Sequence, residues 1–150
     1  QVLDALGAPV IRTGTPGTAR AAHAICGLLT VAGLIAGAEG LLIAKRYGLD
    51  PLAALEAAGA VSTADNAALA ILRRLVDERR YDSGSEFAAL VRAVDTATGL
   101  AHDTGTSAPV AALCREICTA ATNNLEGPRD GAEIVRWLEQ VAKTSLGRHD

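Results

Sequence analysis

With 150 residues, 49% hydrophobic but only 3% aromatic, the chain can bury one core and must build it from Ala, Leu, Val and Ile rather than from rings. A net charge of −3, with the 14 Lys and Arg scattered, gives no basic face and argues against a nucleic-acid partner. The three cysteines, Cys26, Cys114 and Cys118, have no disulfide-framework spacing and point to a reducing, cytoplasmic setting.

No charged-then-apolar leader opens the chain, and it holds no methionine, so it is expected to begin inside a longer product or to have been trimmed. Residues 1–7 carry one turn of helical spacing. Residues 9–13 read as a short strand, and no second strand follows. A lone strand leaves its donors and acceptors without a ladder. Residues 1–13 are therefore expected to be the end of a preceding domain, and residues 14–150 a helical domain.

Gly14 and Gly17 bracket a turn, Thr18 can cap a helix, and Thr18–Tyr47 is the dominant element. Residues 24–44 carry one charge, Glu39, with apolar side chains on every side. A helix of that kind must be surrounded, by the remaining helices or by those of a second subunit. Gly27, Gly33, Gly37 and Gly40 would each weaken it by about 1 kcal/mol, which makes sense where other backbones press close. The stretch is long enough to span a bilayer. Glu39 and the Ala/Gly content argue against that reading. Lys45 and Arg46 stand at its negative end and Gly48 stops it.

Asp50 and Pro51 restart the chain as a short helix to residue 58, stopped by Gly59. A helix from Ser62 or Thr63 to about Arg80 buries Leu69, Leu72, Leu75 and Val76, and its charged end reads as a solvated turn. After a turn at Ser83 and Ser85, residues 86–103 form a helix with Phe87, Leu90, Val91, Val94 and Leu100 on one side. Ser107 and Pro109 open a fifth helix to residue 122, with Cys114 and Cys118 on one face as small buried hydrophobes. Their spacing fixes no further ligands, so no metal site is expected. Asp130 and Glu133 outline a capping box for a last helix to about Thr144, with Ile134, Trp137, Leu138 and Val141 inward and a frayed tail from Ser145. The fold class is all-α: a bundle around one long central helix, with a residual N-terminal strand.

His102, beside Asp103 at a helix end, reads as structural. His23 stands one turn into the long helix, just after the glycine loop, either as a hydrogen-bonded boundary residue or as a functional group. The order of these features (strand, G-x-x-G loop, long helix, A-E, G-L-D) resembles the second domain of the β-hydroxyacid dehydrogenases, the 3-hydroxyisobutyrate and 6-phosphogluconate dehydrogenase-like family. There the loop G-x-x-G-x-G precedes K-x-x-N-N. This chain has Gly14, Gly17, then His23 at the lysine, Cys26 and Gly27 at the two asparagines, Ala38-Glu39 and Gly48-Leu49-Asp50. The family's F-x6-K-D is met by Phe87 and Asp95, with Val94 at the lysine. Pro109 and the late Gly127 and Asp130 also agree.

The resemblance implies the helical half of a two-domain oxidoreductase, lining the substrate cleft and carrying a homodimer interface. NAD or NADP would be held mainly by a domain absent from this chain, so the isolated chain is expected to be inactive. It assigns acid–base work to His23, substrate contact to Gly17, Thr18, Cys26 and Gly27, and cofactor contact to Phe87, Val94 and Asp95. Both lysines and both asparagines are replaced. A histidine is still suited to acid–base work near neutral pH, whereas Cys26 and Gly27 cannot supply carboxylate-binding amides. The alternative is a non-catalytic helical oligomerisation or interaction module with the same fold. A G-x-G-x-x-G fingerprint upstream would decide between them.

Overall fold

One helix, α1 (Thr18–Tyr47), organises the chain, which the computed structural model describes over residues 12–61 and 67–147. Around it stand α2 (Pro51–Val61), α3 (Ala67–Glu78), α4 (Phe87–Asp103), α5 (Pro109–Asn124) and α6 (Glu133–Ala142). The described chain is all-α, and α2 to α6 all pack on α1, α4 most extensively. The expected first turn, most of the expected strand at 9–13 and the expected helix start at Ser62 or Thr63 lie outside the described residues. Arg12 and Thr13, which are described, are not in a strand.

Three of the four glycines in α1 sit where a neighbour leaves no room. A Cβ on Gly27 would lie 2.4 Å from Ala93 Cβ, on Gly33 2.8 Å from Ala68 Cβ, and on Gly37 2.3 Å from Leu72 Cδ1. Gly40 meets nothing within 4 Å, so close packing does not account for it. Val31, Leu34, Ile35, Ala38, Leu41 and Leu42 face the core with Leu72, Leu75, Val76, Val94, Ile134 and Val135. The helices of this chain cover only part of α1. Ile25, Leu29, Ile43 and Tyr47 are 52–91% exposed, and their spacing puts them on one stripe.

Several boundaries differ from expectation. The cap of α1 is Gly17, at φ 98°, rather than Thr18. Thr18 is the first helical residue, and its hydroxyl donates to the Thr15 carbonyl at 2.7 Å. At the far end Gly48, at φ 94°, and Leu49 return their amides to Lys45 and Ala44, a Schellman closure. Asp50 Oδ1 accepts from the Leu52 and Ala53 amides at 2.9 and 3.1 Å, capping α2 as expected. Gly59 does not stop α2, because an exposed glycine costs only about 1 kcal/mol in a helix. α3 ends two residues early, where Arg79 takes φ 56°. Its charged end makes exposed ion pairs, Arg73–Glu56 at 3.4 Å and Arg80–Asp82 at 2.9 Å, worth little each.

The starts of α4 and α6 are tied together. The Phe87 amide donates to the Arg129 carbonyl at 2.9 Å, and the Gly131 amide to Ser85 at 2.8 Å. Asp130 Oδ1 accepts from the Ser83 and Ala132 amides, both at 2.7 Å. Glu133 Oε1 reaches back to the Asp130 amide at 3.1 Å, as the capping-box spacing predicts. In α6 Ile134 and Leu138 are buried, but Val141 is 62% exposed, because Ala142 takes the inward place in the last turn.

The tail expected to fray from Ser145 is held down through Gly147. Leu146 is fully buried. Its amide donates to the buried Glu139 carboxylate at 2.6 Å. Glu139 also accepts from the Tyr81 hydroxyl and lies 3.5 Å from Arg79. Lys45 Nζ donates to the Ser145 and Gly147 carbonyls at 2.6 and 3.1 Å, and Arg46 to the Ala142 carbonyl. The two cations thus serve a strap rather than their own helix end.

Burial and the adjacent Glu139 carboxylate hold the Tyr81 proton well above the ordinary phenol range. A group whose folded pKa is raised contributes stability that is complete below its unfolded value near 10 and lost as pH climbs past it. Chemical denaturation from pH 8 to 11 should therefore show stability falling above about pH 10. Tyr81→Phe should flatten that fall, and an equal fall in both proteins would exclude Tyr81 as its source.

Candidate functional site

α1 and α4 run antiparallel, and the small residues on their facing sides leave a groove. Near the start of α4, His23, Cys26, Gly27 and Thr30 form one wall of a cavity of about 240 Å³, and Ser85, Glu86, Ala89, Leu90 and Ala93 form the other. It adjoins a second cavity of about 260 Å³ between Arg20, His23 and Ala24 on α1 and Ala89, Arg92, Ala93 and Thr96 on α4. A third, about 300 Å³, lies at the N-terminus of α1 between Gly17, Arg20, Ala21 and Thr96, Gly99, Leu100, Asp103. Shared lining residues make the three one trough along the first half of α1. The alternation that builds it is helical: His23, Gly27 and Thr30 fall on one face of α1.

Four residues singled out by the sequence, Gly17, His23, Cys26 and Gly27, line this trough. Thr18 is half-buried beside it, its hydroxyl committed to the preceding turn. His23 is exposed, and its imidazole has no hydrogen bond or ion pair with another described residue. The Thr30 hydroxyl is occupied by the Cys26 carbonyl at 3.0 Å. Gly27 is buried against Ala93, so this position has no space for the amide that the family pattern carries.

Phe87, Val94 and Asp95 do not join the trough. Phe87 is 4% and Val94 0% exposed, both in the core. Asp95 faces α5 and pairs with Arg115 at 2.8 Å. The periodicity of α4 explains the separation: residues 89, 93 and 96 face the first half of α1, whereas 87 and 94 point inward. Two of the three are thus buried in the core of this domain, and the third is paired across to α5.

Cys114 and Cys118 are buried and free. Burial raises both thiols, Cys118 to about 12, so neither is a ready nucleophile. His102 is exposed in the last turn of α4. Among the described residues no three His, Cys, Asp or Glu side chains gather as a metal set.

The α4 wall, and Arg92 with it, escaped the sequence reading. The available signal was the small-residue series Ala89, Ala93 and Thr96, spaced to share one face of α4, where Ala93 stands opposite Gly27.

The crystal structure of 3-hydroxyisobutyrate dehydrogenase (ygbJ) from Salmonella typhimurium shares the fold, with a TM-score of 0.78 and 22% identity over 91% of this chain. This chain spans 48% of that protein. No curated protein matches the chain. Residues 17–138 match the family model described as NAD-binding of NADP-dependent 3-hydroxyisobutyrate dehydrogenase, and the chain belongs to that family.

Proposed function

We propose that this chain is the helical domain of a cytoplasmic NAD(P)-dependent oxidoreductase acting on a hydroxy acid or a related carbonyl compound. In this reading the trough between α1 and α4 is a wall of the substrate cleft. The observation that carries it is His23, Cys26 and Gly27, the three positions of the family's K-x-x-N-N motif, lining one cavity, with an imidazole that no described residue engages. A nicotinamide, which another domain would hold, would supply the hydride chemistry. This chain's part is the proton: His23 accepts it from the substrate hydroxyl during oxidation and returns it to the carbonyl oxygen during reduction.

The same reading makes the chain a homodimer. The exposed stripe of Ile25, Leu29, Ile43 and Tyr47 lies well around α1 from the trough, and Val110 and Leu113 on α5 are also exposed. Burying the stripe against a second copy would remove the largest apolar side chains of α1 from water without closing the cleft.

Two measurements test this. Light scattering of the 150-residue chain should return twice 15.3 kDa, and a folded monomer would end the dimer assignment. The full-length protein, given NAD or NADP and a panel of small hydroxy acids, should reduce the nucleotide with at least one of them. Failure with the whole panel in a folded, nucleotide-binding protein would favour the non-catalytic module. One observation already leans that way: Val94, at the second family lysine, is sealed in the core.

A further inference from the structure

We propose that the middle of the trough is an anion subsite, in which Arg20 and Arg92 hold a carboxylate or phosphate that the ligand carries in addition to its reacting carbon. The substrate class it names rests on the oxidoreductase reading; the anion site itself does not.

The middle cavity, about 260 Å³, is unlike its neighbours in charge. Its floor is Ala24, Ala89 and Ala93, with Ala24 and Ala93 buried. Arg20, Arg92, His23 and Thr96 complete its lining, with the Thr96 hydroxyl donating to the Arg92 carbonyl at 2.8 Å, and no carboxylate lines it. The adjoining cavities each contain one acid, Glu86 on one side and Asp103 on the other. Glu86 engages Arg92 only at 3.7 Å, with both side chains about two-thirds exposed, an interaction a ligand can displace. Arg20 makes no ion pair with any described residue.

A small concavity with an apolar floor and two planar donor forks fits a two-oxygen anion better than any neutral group, because guanidinium pairs with carboxylate or phosphate through parallel N–H···O bonds. Arg20 precedes His23 by three residues, about 4.5 Å along the helix axis. An anion there sits roughly one turn from the acid–base group. The favoured substrate is therefore an acid whose second charged group is a few bonds from the hydroxyl carbon. Such recognition also compensates for the amide lost where α1 and α4 close on Gly27.

The test needs no turnover. Malonate and inorganic phosphate are titrated separately into the 150-residue chain at low ionic strength and followed by amide chemical shifts. Saturable binding with shifts at residues 20–24 and 89–96 is expected, weakened about 10-fold by Arg20→Gln and by Arg92→Gln and unchanged by Arg136→Gln on α6. The tighter of the two probes identifies carboxylate or phosphate as the natural group. Absence of saturable binding, equal binding by the Arg20→Gln protein, or an equal loss in Arg136→Gln overturns the subsite; unchanged helical circular dichroism guards against misfolding. Anion binding in a protein that fails every nucleotide-coupled assay would retain the subsite and discard the oxidoreductase reading.

Discussion

Gly27→Ala is expected to destabilise the chain by about 2–3 kcal/mol, although alanine is the better helix former. The added methyl would stand 2.4 Å from Ala93 Cβ, well inside contact distance. Neither partner can swing aside, because each Cβ is fixed directly to its helix backbone. The two helices would have to part along the line where they pack most extensively. Moving the methyl instead of adding one should relieve the strain: in Gly27→Ala with Ala93→Gly, the next neighbour of the new Cβ is Ala93 Cα at 3.8 Å, an ordinary contact. The propensity gain at 27 and loss at 93 are each about 1 kcal/mol and cancel. Urea denaturation should therefore place the double variant close to the starting protein and the single variant far below it, a coupling of about 2 kcal/mol or more. Additive losses would mean that the helices do not meet here as described. The same geometry predicts that restoring the family asparagine at Gly27 alone costs more than Gly27→Ala.

In the full-length protein, His23→Ala is expected to lower kcat about 10²- to 10⁴-fold, the usual worth of a positioned acid–base group. Folding should be unaffected, since His23 is exposed and makes no bond to another described residue. His23→Lys is the informative companion, because the family pattern has lysine at this position. It should recover part of the lost rate and move the pH profile upward, as an amine keeps its proton to higher pH than an imidazole does. A His23→Ala protein within a few-fold of the starting rate would remove His23 from the chemistry and leave it a rim residue.

Much of the helical plan was legible because its signals are local. The start and stop of α1 come from a glycine on either side, the Asp50-Pro51 start of α2 from capping chemistry, and the Asp130–Glu133 link from the reach of one glutamate. Gly27, Gly33 and Gly37 announced close neighbours without saying which. What stayed hidden depends on pairing across distance. Nothing near Ser145 in the chain tells of Lys45, 100 residues back, yet Lys45 and Glu139 are bonded into one strap with the C-terminal segment. The site divided in the same way. His23, Cys26 and Gly27 were found because they fall on the short linear pattern K-x-x-N-N, whereas Arg92 joins them only through the antiparallel setting of α4. Phe87, Val94 and Asp95 matched a linear pattern, but the rotation of α4 spends two of them on the core and one on Arg115.

The strap divides α1 into unlike halves. At the Tyr47 end, Lys45 and Arg46 moor the helix to carbonyls of the C-terminal segment, and the Schellman closure completes the fastening. At the Thr18 end, the helix starts from a bare glycine cap and borders an open trough. Hydrogen exchange is therefore expected to be faster at the Thr18 end of α1 than at the Tyr47 end. On the proposed reading of the trough, α1 would behave as a leaf bolted along one edge, its free end beside the ligand and its tied end fixing the register of the core.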